Sequence, residues 1–343
     1  MGKQSKGNEE PENNSDFNKQ IIIALIGFAG VILAAFIGLI GTNIRNGASE
    51  TATASVLLTQ TSPVAFEISE PIRVTSQAGN ETEPQFSDDG GSIVFIADGD
   101  GNQEIYTIQD DGLFKHRITN TPQGEDLPSF SPDGQSILFG ANYTGNDELY
   151  LLRLSESPTS TNITNTPNIN EGRGRFVLGG NRIIFDSDQT GNWDIYIGEI
   201  VDGFLTNVRN LTNRPEYQDR YPVVSSLLAN VFFRASPIFD ETGTKSSLYS
   251  IQFNGANLQA LTSENDDRHP SINSDESWLT FQSDRDGNTE IYAINLKSGE
   301  FRRLTDHPAD DSFPSFSKDG RWIVFSSNRD GSGYDLYKIP FQP

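Results

Sequence analysis

The 343 residues carry a formal net charge of −22, and residues 43–343 hold −21 of it, because three lysines face four acids before that point. So acidic a chain is a poor partner for nucleic acid, whose binding rests on neutralising phosphates; metal cations and basic protein surfaces remain open to it. The absence of cysteine excludes disulfides, zinc-thiolate sites and thiol nucleophiles.

Residues 1–20 are polar and lack apolar periodicity, which predicts a disordered tail. From Ile21 to Gly41 run 21 apolar or glycine residues without a charge. At about 1.5 Å per residue such a run crosses a ~30 Å hydrocarbon layer as one helix. It exceeds the roughly 7–15 residues of a signal-peptide core, so it reads as an uncleaved signal-anchor, a single transmembrane α-helix. Lysines precede it and only Arg45 follows closely, which predicts a cytoplasmic N-terminus and a periplasmic or extracellular remainder. Gly30, Ala34, Gly38 and Thr42 form a small-residue stripe that permits a homodimer through the helix. Residues 42–71, rich in Thr, Ser and Ala, read as a flexible tether.

Residues 72–343 repeat. A tyrosine closing a short apolar stretch recurs at Tyr106, Tyr150, Tyr196, Tyr249, Tyr292 and Tyr337, at intervals of 43 to 53 residues. Short aromatic and β-branched runs separated by Asp-Gly turns are the material of tight antiparallel hairpins. Six copies at this period predict an all-β, six-bladed propeller. The outermost strand of each blade is marked by Val74-Thr75, Ile118-Thr119, Ile163-Thr164, Leu211-Thr212, Leu261-Thr262 and Leu304-Thr305. The first of these precedes every inner strand and none follows Tyr337, so the N-terminal strand is expected to complete the last blade. The second-strand runs, such as Ile93-Val94-Phe95-Ile96 and Ile323-Val324-Phe325, are continuously apolar, which predicts burial on both faces. Blades 3 and 4 depart from the Ser-Pro-Asp-Gly turn seen at Ser131–Gly134, at Leu178–Asn181 and Ser226–Asn230, and blade 4 lengthens its next loop through Pro237–Glu241. Both departures suit a functional loop or simple drift.

The Leu-Thr ends, Phe130-Ser131-Pro132-Asp133-Gly134, and Ser283-Asp284-Arg285-Asp286-Gly287-Asn288 followed by Glu290-Ile291-Tyr292 resemble the WD-like propeller repeats of the TolB family, over roughly Ile72 to Pro340. The resemblance implies a binding rather than a catalytic protein. TolB proteins carry a further α/β domain ahead of the propeller and dock an outer-membrane lipoprotein, whereas here a tether of about 30 residues and an apolar run precede the first blade, which argues against an orthologue. The repeats also resemble the propellers of prolyl-oligopeptidase-type hydrolases, but there is no Gly-x-Ser-x-Gly elbow and Pro343 leaves no room for a hydrolase domain. Some related propellers are polyuronate lyases using a metal held by several histidines. His116, His269 and His307 are the only histidines, at unlike repeat positions, so no catalytic residue is assigned.

Loops between successive blades and those between second and third strands share one face in a propeller. On it fall Glu81, Glu83, Glu125, Asp126, Glu171, Asp219, Asp267 and Asp311 among others, an expected acidic rim or solvated surface. Asp98, Asp100, Asp284 and Asp286 alternate as calcium ligands do, though the glycine spacing is wrong for an EF-type loop and a hairpin turn explains them as well. No other cofactor is expected. Glu83, Leu127, Arg173, Tyr221, His269 and Phe313 align at 44 to 48 residue spacing and are expected to ring the channel mouth. Arg173, Trp193, Arg220, Tyr221, Arg268, His269 and Phe313 form a basic and aromatic sector there, the candidate site for a protein partner outside the cytoplasmic membrane or for a saccharide or peptide.

Overall fold

The computed structural model describes residues 68–155, 158–224, 230–239, 245–263, 265–331 and 333–343. The predicted tail, anchor, and most of the tether and blade 4 turn therefore lie outside the described residues. Strand β1 (Ile72–Arg73) comes first, and the chain then lays down five blades of four strands each. These are β2 (Glu81–Phe86), β3 (Ser92–Ala97), β4 (Glu104–Gln109) and β5 (His116–Arg117); β6 (Glu125–Phe130), β7 (Ser136–Ala141), β8 (Glu148–Arg153) and β9 (Thr159–Asn162); and β10 (Glu171–Phe176), β11 (Arg182–Ser187), β12 (Asp194–Val201) and β13 (Phe204–Asn210). Next are β14 (Tyr217–Val224), β15 (Asn230–Pro237), β16 (Ser247–Gln252) and β17 (Gln259–Ala260), then β18 (Arg268–Ile272), β19 (Trp278–Ser283), β20 (Glu290–Asn295) and β21 (Phe301–Arg303). The last blade takes β22 (Asp311–Phe316), β23 (Trp322–Ser327) and β24 (Asp335–Pro340), and β1 pairs antiparallel with β24 to complete it. Six four-stranded sheets result, and no helix occurs among the described residues.

The repeat is legible at atomic level. In every blade a phenylalanine of the second strand lies opposite the repeat tyrosine of the third: Phe95 and Tyr106, Phe139 and Tyr150, Phe185 and Tyr196, Phe233 and Tyr249, Phe281 and Tyr292, Phe325 and Tyr337. Their rings stack with centroids 5.6–6.1 Å apart. Cross-strand aromatic pairs of this kind stabilise antiparallel ladders beyond the area they bury. Neighbouring second-strand residues serve opposite faces: Ile93 and Phe95 pack with Val324 and Leu336 of the last blade, Val94 and Ile96 with Ile137 and Phe139 of the second. That is the reason for the continuous apolar runs.

The threonine of each Leu-Thr segment is a clamp. Its Oγ1 accepts the backbone N–H of Ile105, Leu149, Ile195, Leu248, Ile291 or Leu336 at 2.8–3.1 Å. The last of these bonds comes from Thr75, so ring closure uses the same chemistry as the other five blades. The clamp sits just after each outer strand rather than within it. Leu178–Asn181 makes the ordinary turn after all: Gly180 at φ 74° donates to the Val177 carbonyl at 3.0 Å, as Gly134 at φ 68° does to Ser131 at 2.8 Å.

Candidate functional site

Burial removes six acids from the expected acidic rim, while Asp100, Glu216, Asp284, Asp286 and Asp330 stay exposed. Glu81, Glu125, Glu171, Asp219, Asp267 and Asp311 lie at or near the start of the six inner strands and none exceeds 3% exposure. Each is consumed internally: Glu81 by Lys115 at 3.0 Å, Asp267 by Arg285 at 3.0 Å, Asp311 by Arg329 at 2.8 Å, Asp219 by Arg214, and Glu125 and Glu171 by threonine hydroxyls. A buried carboxylate needs such partners, and the repeat supplies them from nearby loops: the one before the inner strand for Thr119, Thr166 and Arg214, the one after the second strand for Arg285 and Arg329, and the one after the third for Lys115. The calcium candidates are likewise engaged in turns. Asp98 Oδ1 accepts the Asn80 N–H at 2.6 Å and Asp284 Oδ1 that of Asp266 at 3.1 Å, while Asp100 and Asp286 accept the hydroxyls of Tyr106 and Tyr292. Among the described residues no group of three or more His, Asp or Glu side chains forms that could hold a metal ion. His307 is a loop residue whose N–H donates to Glu290 at 2.8 Å, and His116 opens outer strand β5 opposite Thr107.

The six aligned residues do ring the axis. Glu83, Leu127, Arg173, Tyr221, His269 and Phe313 all line a narrow cavity of about 70 Å³. Every inner strand shifts register against its neighbour at this point, between Thr82 and Gln85 in the first blade and at the equivalent place in the others. All six residues have positive φ, from 49° to 58°. A bulge of this kind inserts one residue, bends the strand and re-aims a side chain, here into the channel. In five blades proline follows, a residue confined in sheets to places where no ladder N–H is needed. In the third it is Gly174, where a Cβ would lie 2.6 Å from Leu138 Cδ2. Below this waist the lumen widens to about 330 Å³ among Ser87, Ser129, Ser271 and Ser317, with Gln85 and Arg175 shared by both spaces.

Four ring residues touch in sequence. The Arg173 guanidinium lies 3.7 Å from the Tyr221 ring centroid and donates to its hydroxyl at 2.8 Å; Tyr221 meets His269 at 4.0 Å, and His269 meets Phe313 at 4.3 Å. Outside the arc, Arg220 stacks on Trp193 at 3.7 Å, beside an open cleft of about 460 Å³ that also borders Asp188, Gln218, Arg234 and Ser236. Arg268 turns instead to Asp266, with Nε 2.7 Å from Oδ1. Three participants escape the sequence reading. Asp186, Arg234 and Gln282 each follow the apolar run of a second strand, where Ile96 stands in the first blade and Gly140 in the second. A polar residue closing an otherwise apolar run was the available signal. Asp186 and Gln282 accept the N–H groups of ring residues Tyr221 and Phe313 at 2.9 and 3.0 Å, and so hold the bulges of the next blade.

Burial sets the electrostatics. Glu83, enclosed and beside Asp126, has its pKa pushed up to about 7 although the Leu127 N–H and Arg173 oppose the shift. Burial and the surrounding arginines hold His269 well below its ordinary range, so its imidazole is neutral at pH 7. Burial lowers Arg220 and Arg234, and brings Arg175 down to about 10. Burial opposes the charge of Arg173 too, but Asp186, Tyr221 and Asp126 outweigh it and its pKa is raised.

A closed ring of six sheets whose bulged inner strands present side chains to an axial channel defines a β-propeller with a narrow mouth. The TolB beta propeller domain family matches residues 112–284 and 270–342, and the chain belongs to that family. No curated protein matches it. Among solved structures it is similar to TolB from Acinetobacter baumannii, at 23% identity and TM-score 0.61 over 71% of this chain; it spans only 58% of that protein's length. A putative TolB from Agrobacterium tumefaciens is 16% identical with TM-score 0.57, covering 79% of this chain and 93% of the other. An oligogalacturonate lyase from Vibrio parahaemolyticus is 13% identical with TM-score 0.53 and the same two coverages. At these identities the likeness is one of fold.

Proposed function

We propose that this chain is a membrane-anchored, extracytoplasmic scaffold that captures a protein partner on the loop-rich face of its propeller and catalyses nothing. The observation that carries this reading is the mouth sector, where Arg173, Tyr221, His269 and Phe313 form one contiguous arc and Trp193 backs Arg220. Arginine, tyrosine and tryptophan held rigid and partly exposed are the usual anchors of protein interfaces. The anchor rests on the uncharged run Ile21–Gly41, and a homodimer through it on the Gly30, Ala34, Gly38 stripe. The test is a crosslinking pull-down from membranes with the full-length protein and its Arg220→Glu, Arg268→Glu double variant. The Arg220 and Arg268 side chains are 25% and 37% exposed; with folding of the variant checked by circular dichroism, it is expected to lose the partner. Equal capture by both forms would remove the mouth from the interface.

A second reading, a propeller that binds or acts on a saccharide or peptide at the mouth, is favoured by one observation: Glu83, with pKa near 7, shares the ring with neutral His269. A group titrating near neutrality suits proton transfer. Bound metal in the purified protein, or turnover of an oligosaccharide, would favour this reading over the scaffold.

A further inference from the structure

The arginines that follow the second or third strand of other blades have carboxylates of their own: Arg117 pairs with Glu104 at 2.8 Å, Arg285 with Asp267 at 3.0 Å, Arg303 with Glu290 at 3.0 Å and Arg329 with Asp311 at 2.8 Å. The sector between blades 3 and 4 breaks this rule. One buried carboxylate, Asp186, faces Arg173 at 4.0 Å and Arg220 at 3.7 Å, both too long for a hydrogen bond. Arg234 has no carboxylate within ion-pair distance among the described residues, and Arg268 is already taken by Asp266. The Nε atoms of Arg173, Arg220 and Arg234 are all buried without a hydrogen-bond partner. Each such donor is destabilising if nothing fills it.

Stacking fixes two of these guanidiniums beside the shared Asp186. Arg220 lies 3.7 Å from the Trp193 ring and Arg173 the same distance from Tyr221. A stacked guanidinium keeps its plane fixed and its donor edge free, which is the arrangement that bidentate carboxylate recognition needs. Gly172 makes room: a Cβ there would come within 2.9 Å of Asp186 Oδ1 and 3.9 Å of Arg220 Nη2. The cleft beside Arg220 and Arg234 holds about 460 Å³, space for a side chain and its backbone.

We propose that this cleft takes the side-chain carboxylate of an acidic peptide segment on the partner protein. The inference rests on the reading of this face as a partner-binding surface. A peptide is favoured over a polyanion because residues 43–343 carry −21. A polymer charged at every unit would lie across a repelling surface, whereas one or two carboxylates on an extended segment reach the cations and keep the remainder away. Trp193 gives the neighbouring peptide residue a flat apolar contact.

The test is calorimetric titration of the detergent-solubilised full-length protein with the blocked hexapeptide Gly-Ser-Asp-Glu-Ser-Gly, its Asn-Gln counterpart, trigalacturonate and inorganic phosphate. The acidic peptide is expected to bind, to weaken with added salt, and to lose about tenfold to a hundredfold in affinity in Arg234→Gln and in Arg220→Gln. The amide counterpart is expected to give no heat. Equal binding of the two peptides, binding unchanged in both variants, no binding of the acidic peptide, or binding of trigalacturonate or phosphate in its place would each overturn the proposal. Should a variant fail to fold, the paired peptides and the salt series on the natural protein still decide it. A captured partner without acidic-peptide binding leaves the scaffold reading standing and removes this one. The reverse result removes the scaffold and keeps the anion site.

Discussion

Glu83 and His269 share one ring and the same kind of enclosure, and burial works on both in the same direction, toward the neutral form. For Glu83 the consequence is measurable. Its folded pKa of about 7 lies above the ordinary 4.5, so the folded protein binds the proton more tightly than the unfolded chain. Stability is then fully present at low pH and falls as pH rises from about 4.5 to about 7. Glu83→Gln keeps an acceptor for the Leu127 N–H and removes this penalty. The variant is expected to gain on the order of 1–3 kcal/mol relative to the natural protein at pH 8 and little at pH 4, the lumen's solvent favouring the lower figure. Parallel denaturation curves for the two proteins at both pH values would show that Glu83 carries no such shift. The alignment that singled out Glu83 was legible in the chain. Its pKa was not, because Asp126 comes beside it from the next blade.

The elements repeat their chemistry as faithfully as their spacing. Thr305 Oγ1 accepts the Ile291 N–H at 2.9 Å and donates to Glu290, which also receives Arg303 at 3.0 Å and the His307 N–H at 2.8 Å. The Leu-Thr and Glu-Ile-Tyr motifs are thus two halves of one clamp, joining the outer end of a blade to its third strand. Thr305→Val conserves volume but strands a buried N–H and one carboxylate oxygen. It is expected to cost about 1–3 kcal/mol, read as a lower denaturation midpoint with an unchanged slope. A change below about 0.5 kcal/mol would show that water or Arg303 replaces the hydroxyl. The motifs announced the strands because turn residues and apolar runs act over a few positions. Composition announced an acidic rim by the same logic and was misleading there, since counting carboxylates says nothing about which ones the fold turns inward. The bulges were legible only as an alignment; that φ lies near 50° at all six positions follows from the shared register shift.

At the scale of the molecule the ring closes on itself: β1 pairs Ile72 with Lys338 and Arg73 with Tyr337, while Arg73 reaches Asp335 at 2.6 Å across 262 residues. Closure covers the outer edge of β24, which would otherwise be left unpaired. The proposed anchor makes its own prediction. Protease added to intact spheroplasts is expected to digest the propeller and spare an epitope on residues 1–20. Protection of the propeller with cleavage of the tail would reverse the orientation. Strand order, blade number, the closing strand and the ring of six were determined by the sequence alone, because each rests on a pattern shorter than one repeat, copied six times. The arginine sector was half visible, as Arg173, Arg220 and Tyr221. Arg234, Asp186 and the cleft beside Arg220 came only with the tertiary structure. Two second strands and two bulges from separate blades, 48 residues apart at Arg173 and Tyr221, must converge before Arg173 and Arg220 can be seen to share one carboxylate.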